Sequence, residues 1–73
     1  MAKLPVMKGD DAIKAFGRVG FSLDHWSGGH AILYHADGRH LSIPGGKKEL
    51  KAGTLRTLIR KADLTVDEFT ELL

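Results

Sequence analysis

The chain has 73 residues, a formal net charge of +2, 42% hydrophobic and 27% charged residues, and no cysteine. A chain this short closes around one core, which excludes multidomain enzymes and large cofactor folds, and its ordinary composition excludes disorder and low-complexity structure. The lack of thiols excludes disulfides, thiolate nucleophiles and sulfur-ligated zinc, and no apolar run approaches the length of a membrane span.

The first residues, Met1 to Val6, hold no secretory apolar segment and no small-residue cleavage site, which reads as an untargeted, cytoplasmic product. A single domain over 1–73 is expected, with 1–7 as a flexible leader. Ala12, Ile13, Phe16 and Val19 recur at steps of three and four and predict a helix over 9–19, with Asp10 and Asp11 in its first turn and Gly20 as its stop. Phe21 to Trp26 alternates as a half-buried strand, Ser27-Gly28-Gly29 turns the chain, and His30 to His35 forms a second strand. Asp37-Gly38 signals a tight turn into a third strand over 39–43, which Pro44 ends.

Residues 44–53 lack a clear period and are expected to cross over as a basic loop. Leu55, Leu58, Ile59 and Ala62 predict an amphipathic second helix over 54–62. Thr65 and Glu68 make a capping box for a short last helix, whose Phe69, Leu72 and Leu73 are expected to dock on the core. The expected class is α+β: helix, three-stranded antiparallel sheet, helix and short helix, with helices on one sheet face and the other face open.

Charge is segregated along the chain. Residues 39–61 hold seven basic side chains against Glu49 alone, while 62–73 hold four acidic side chains and no basic one. A polyanion therefore meets one region of the surface. Lys47, Lys48 and Lys51 precede a helix N-terminus whose free N–H groups also favour anions, so phosphate suits this stretch; a merely solvated loop is the alternative. Arg56 and Arg60 extend the basic side along the helix.

His25, His30, His35 and His40 recur every five residues, which invites a metal reading. An odd step along alternating strands sends successive members to opposite faces, and no carboxylate pair completes a ligand set, so no metal site is expected. His30 differs because Gly28 and Gly29 strip side-chain bulk from the chain ahead of it and let a ligand come close. An imidazole gives and takes protons near neutrality, which makes His30 the candidate general acid or base; a solvated histidine at a strand start is the plainer alternative. Trp26 and Tyr34 are candidates for stacking on a base, or else for packing in the core or at a sheet edge.

The spacing of Lys47, Lys48 and Lys51 at the mouth of the second helix resembles the phosphate-gripping motif of double-stranded RNA-binding domains, which share the helix, three strands, helix order. Nearly all of residues 8–73 also resemble the HicA family of mRNA interferase toxins. The resemblance rests on Gly20-Phe21, Gly28-Gly29-His30, Asp37-Gly38-Arg39, Ile43-Pro44 and Glu49 through Leu55, followed by the final helical cap. It implies a double-stranded RNA-binding-like fold and an mRNA-cleaving toxin; because RNA carries its own 2′-OH nucleophile, no metal or other cofactor is expected. It further implies an essential histidine, matched by His30, and a HicB antitoxin that covers that histidine. Many members carry a histidine two residues after the strand-ending proline, where this chain has Gly46, so a second proton-transfer group is not expected there. A non-catalytic RNA-binding module using the same basic surface is the rival reading, and a protein-interaction domain with an open sheet face is a third.

Overall fold

Apolar spacing and glycine turns produce the expected order of elements. The computed structural model describes residues 4–73, with α1 (Gly9–Gly17), β1 (Phe21–Ser27), β2 (His30–His35), β3 (His40–Pro44), α2 (Ala52–Lys61) and α3 (Val66–Thr70) in chain order. The strands form one antiparallel sheet in the order β1-β2-β3, so β1 and β3 are edges. Alternation along β2 and β3 turns Ala31, Leu33, Leu41 and Ile43 toward the helices, where all four are buried with Phe16, Leu55 and Phe69. Phe16 lies at the centre, its ring 4.9 Å from that of Phe69 and edge-on to Phe21 at 6.2 Å. No helix among the described residues is long and apolar enough to cross a membrane.

Several boundaries differ from the sequence expectation, each for a local reason. α1 stops at Gly17 because residues 18–20 tighten into i to i−3 bonds, Val19 N–H to the Phe16 carbonyl at 3.2 Å and Gly20 N–H to the Gly17 carbonyl at 3.3 Å. β3 runs from His40 through Pro44, since the Arg39 N–H is taken by Asp37 Oδ1 at 3.0 Å while an edge strand tolerates proline. α2 begins at Ala52, two residues early; Lys51 is its extended N-cap and supplies no side-chain cap bond, and the turn before Leu55 carries no apolar period. The capping box forms as expected, Glu68 N–H to Thr65 Oγ1 at 3.1 Å and Thr65 N–H to Glu68 Oε1 at 2.9 Å. Phe69 is buried and Leu72 packs against the core, but Leu73 is exposed rather than docked.

The expected alternation of β1 fails beyond Leu23. A bulge at Asp24 shifts the register, so that Leu23 pairs with Leu33 but His25 pairs with Ile32 and Trp26 with Ala31. Trp26 therefore joins Phe21 and Leu23 on the helix side, and only Phe21 of the three is buried. Leu23 and Trp26 lie on an edge strand, where half of each remains in solvent.

The segment after β3 is tied to the start of α1 and is not a free crossover. Lys8 and Glu49 form an isolated antiparallel bridge, Leu50 N–H donates to the Met7 carbonyl at 2.9 Å, and Asp10 and Gly46 exchange two bonds, Asp10 N–H to the Gly46 carbonyl at 3.2 Å and Gly46 N–H to Asp10 Oδ1 at 2.8 Å. Carbonyls of the loop thus satisfy N–H groups that a helix N-terminus leaves free. Of the stretch expected to be a leader, Met7 belongs to the core and Leu4 packs against it, so leader character does not extend to these two residues; the expectation for residues 1–3 lies outside the described residues.

Arg39 closes the other end of the domain. Its guanidinium donates to the Ala62 carbonyl at the end of α2, lies 5.4 Å from the Phe21 ring centre and holds Asp37 Oδ2 at 2.7 Å. The Arg39 backbone N–H, helped by the Arg39 side chain and by His35, lowers the Asp37 pKa from its ordinary value of 3.8. A folded value below the unfolded one adds stability that is present above the ordinary carboxylate range and vanishes as acid protonates Asp37 within the fold. Asp37→Asn is expected to lower the melting temperature slightly at neutral pH and not at all in strong acid. Melting curves across pH check this, and a gap that persists in acid would contradict the assignment.

Candidate functional site

Gly28 and Gly29 form the two-residue turn between β1 and β2, with φ of 55° and 83°. Positive φ at both central residues is the signature of a tight hairpin turn whose twist matches the strands, and glycine adopts it without strain. A Cβ on either residue would meet nothing within 4 Å, so the turn stands open to solvent. His30 follows directly and is exposed, its Nδ1 3.4 Å from the Gly28 carbonyl. A carbonyl only accepts, so this contact favours the proton on Nδ1 and the lone pair on Nε2.

Cross-strand pairing brings the basic loop to this turn. His30 is the partner of Pro44 on β3, and Gly45 N–H donates to the Gly29 carbonyl at 3.1 Å. The chain that carries Lys47 and Lys48 therefore leaves the sheet beside His30. A cleft of about 350 Å³ opens along this segment, lined by Pro44, Gly45, Lys48, Glu49, Lys51 and Thr54 among others; His30 and Lys47 do not line it. Lys47, Lys48 and Lys51 are exposed, and none forms an ion pair among the described residues. Glu49 is the one acidic group on the rim, and its backbone is engaged with Lys8.

Arg56 and Arg60 do not join this cluster. They line a second groove of about 400 Å³ between α2 and α3, with Ile59, Asp63, Leu64 and Val66. The reason is helical geometry: four residues apart on α2, they share one face, which borders the start of α3. The basic residues read from the sequence as one surface are thus two.

The histidines also divide differently from expectation. An odd step parts two residues only along one continuous strand; here a two-residue hairpin places Ser27 opposite His30, so His25 and His30 share a face. Tyr34 pairs with His40, which adds both to the same face, turned away from the helices. His35 alone faces the helix side, its ring 5.2 Å from that of Phe21 and its Nδ1 accepting from Asp37 N–H at 3.1 Å. His25 Nδ1 lies 2.7 Å from Asp24 Oδ2. Among the described residues no group of three His, Asp or Glu side chains is placed to hold a metal ion.

Three contacts at this end of the sheet go beyond the sequence expectation. Asp10 clamps Gly46 and so fixes the loop that carries Lys47 and Lys48. Gly46 holds φ at 108°, a conformation that strains any side chain, so its backbone is fitted to this clamp. Trp26, a candidate for base stacking or edge packing, has its indole over Gly45, where an added Cβ would lie 2.5 Å and 2.7 Å from ring carbons Cζ3 and Cη2. No local pattern announces any of these contacts, because each joins segments far apart in the chain.

A helix, three antiparallel strands and a second helix packed on one sheet face define a small α+β protein with the layout of double-stranded RNA-binding domains. Comparison with known families makes the assignment specific. The family model described as the HicA toxin of bacterial toxin-antitoxin systems matches residues 9–64, and the chain belongs to that family. It is a toxin, and an antitoxin partner is implied. No curated protein gives a match to this chain.

Proposed function

We propose that the toxin is a metal-independent endoribonuclease acting on mRNA, with His30 as the proton-transfer group and Lys47, Lys48 and Lys51 as phosphate contacts. The observation that carries this reading is the join between the two. The pairing of His30 with Pro44 and the Gly29–Gly45 hydrogen bond bring an exposed imidazole and a cationic loop to one end of the sheet.

RNA brings its own nucleophile. His30 Nε2 takes the proton of a ribose 2′-OH, the 2′ oxygen bonds to the adjacent phosphorus, and the bond from phosphorus to the 5′ oxygen breaks, that oxygen collecting a proton from water. Negative charge grows on the nonbridging oxygens as this happens, and the ammonium groups oppose it. Gly28 and Gly29 keep the approach clear for the sugar-phosphate chain. DNA, without the 2′-OH, is bound weakly and left intact. The proposed partner is a HicB-like antitoxin that silences the toxin by covering His30.

Incubation of purified toxin with an unstructured transcript in a metal chelator tests the proposal. The expected products carry 2′,3′-cyclic phosphate and 5′-hydroxyl ends. Intact RNA, or 5′-phosphate ends, would overturn it.

The lysines make a separate prediction. Combined Lys47→Glu, Lys48→Glu and Lys51→Glu is expected to abolish RNA binding at moderate salt. If three single-strand phosphate contacts are lost, the slope of log K against log salt becomes shallower by roughly 2. The same measurement on combined Arg56→Glu and Arg60→Glu reports whether the groove between α2 and α3 touches RNA, since loss of those contacts would flatten the slope as well.

A further inference from the structure

The open sheet face carries a feature that His30 and the lysines do not use. Along β2 that face presents His30, Ile32 and Tyr34, and β3 sets His40 directly beside Tyr34. The Tyr34 and His40 rings lie 5.6 Å apart with planes 28° from parallel, and both residues are exposed. No strand position on this face holds lysine, arginine or glutamate; it offers imidazoles and serine hydroxyls, and the one carboxylate beside it, Asp24 at the β1 bulge, is held 2.7 Å from His25 Nδ1. Such a face has no means of gripping a row of phosphates, but it suits unpaired bases, whose flat faces stack on aromatic rings and whose edges take hydrogen bonds from small polar groups.

We infer that the open face is a single-stranded RNA platform, with the Tyr34–His40 pair stacking one base a short distance along the strand from the nucleotide at His30. The inference rests on the endoribonuclease reading for the placement of the scissile nucleotide and extends it to the substrate class. Tyr34 is four residues from His30 on the same strand and face, a separation of about 13 Å, which a few nucleotides span. Single-stranded RNA fits this path for a second reason. A duplex buries its base faces in its own stack and offers none to a flat sheet, whereas an unpaired strand can lay them down. The lysine loop at the His30 end then holds the backbone while the tyrosine end holds a base, which fixes the register of the strand over the imidazole. In this arrangement Tyr34 is a positioning residue.

Binding is measured in a His30→Ala background, where RNA stays intact, with a short unstructured oligoribonucleotide carrying 2-aminopurine at successive positions. One position is expected to be quenched on binding. Tyr34→Ser is expected to remove that quench and weaken binding roughly tenfold, in the range for loss of one base–aromatic stack, while Tyr34→Phe keeps both. The same sequence annealed into a duplex is expected to bind independently of Tyr34. Because Tyr34 is exposed, the variants are expected to melt with the parent, which circular dichroism verifies. Unchanged quenching and affinity in Tyr34→Ser would overturn the platform, as would a Tyr34→Ser protein that binds RNA normally but escapes its antitoxin, since the face would then serve a protein. Tyr34-dependent binding by a wild type that cleaves nothing would remove the endoribonuclease reading and leave the platform standing.

Discussion

His30→Ala is expected to bind RNA as the wild type does and to cleave it roughly 10² to 10⁴ times more slowly, the usual contribution of one positioned proton-transfer group. The separation of binding from turnover follows from where the side chain stands. His30 is exposed at the edge of a solvent-open turn and its ring makes one long contact, to the Gly28 carbonyl at 3.4 Å, so truncation opens no cavity and strands no buried partner. Stability is expected to change by no more than about 0.5 kcal/mol. The phosphate contacts lie on another segment and stay in place. In cells, the variant is expected to accumulate without arresting growth, whereas the wild type arrests it unless the antitoxin is present. Equal arrest and equal RNA decay from both proteins would remove His30 from the reaction. A variant that fails to bind RNA at all would instead mean that the imidazole serves recognition.

Several features that shape this end of the sheet are legible in the sequence. Paired glycines before a strand mark an open turn, and Thr65 with Glu68 marks a helix start, because both signals are local and act through backbone geometry that neighbouring residues control. The density of lysine between 47 and 51 was equally plain. What the sequence did not disclose was which charges and rings would share a surface. That depends on register: one bulged residue, Asp24, decides that Trp26 rather than His25 sits on the helix side, and no glycine or proline announces it. A hairpin reverses the chain, so the alternation of one strand does not carry across the turn from His25 to His30. The basic residues are close in sequence, yet Lys48 and Lys51 line one cleft while Arg56 and Arg60, further along α2, line another.

Two glycines in one helix are expected to respond in opposite directions to the same substitution. Gly9 is buried at the first turn of α1, where an added Cβ would overlap the carbonyl oxygen of Pro44 and lie 3.0 Å from its carbon. Both obstacles are backbone, in the residue that pairs with His30, and no flexible side chain can yield. Gly9→Ala therefore has to push α1 away from the end of β3, at a cost of roughly 1–3 kcal/mol, as for other overpacked sites. Moving Pro44 also moves Gly45, whose N–H holds the Gly29 carbonyl, so cleavage is expected to fall by more than the loss of folded protein explains. Gly17 ends the same helix, exposed, with nothing within 4 Å of an added Cβ. There alanine only narrows the unfolded ensemble and improves helix propensity, and Gly17→Ala is expected to stabilise by about 0.4–1 kcal/mol with cleavage unchanged. Melting temperatures of the two variants, set beside their rates per folded molecule, decide the matter. If Gly9→Ala melts with the wild type and cleaves at the same rate, then the close approach of α1 to Pro44 does not hold the histidine's end of the sheet in place.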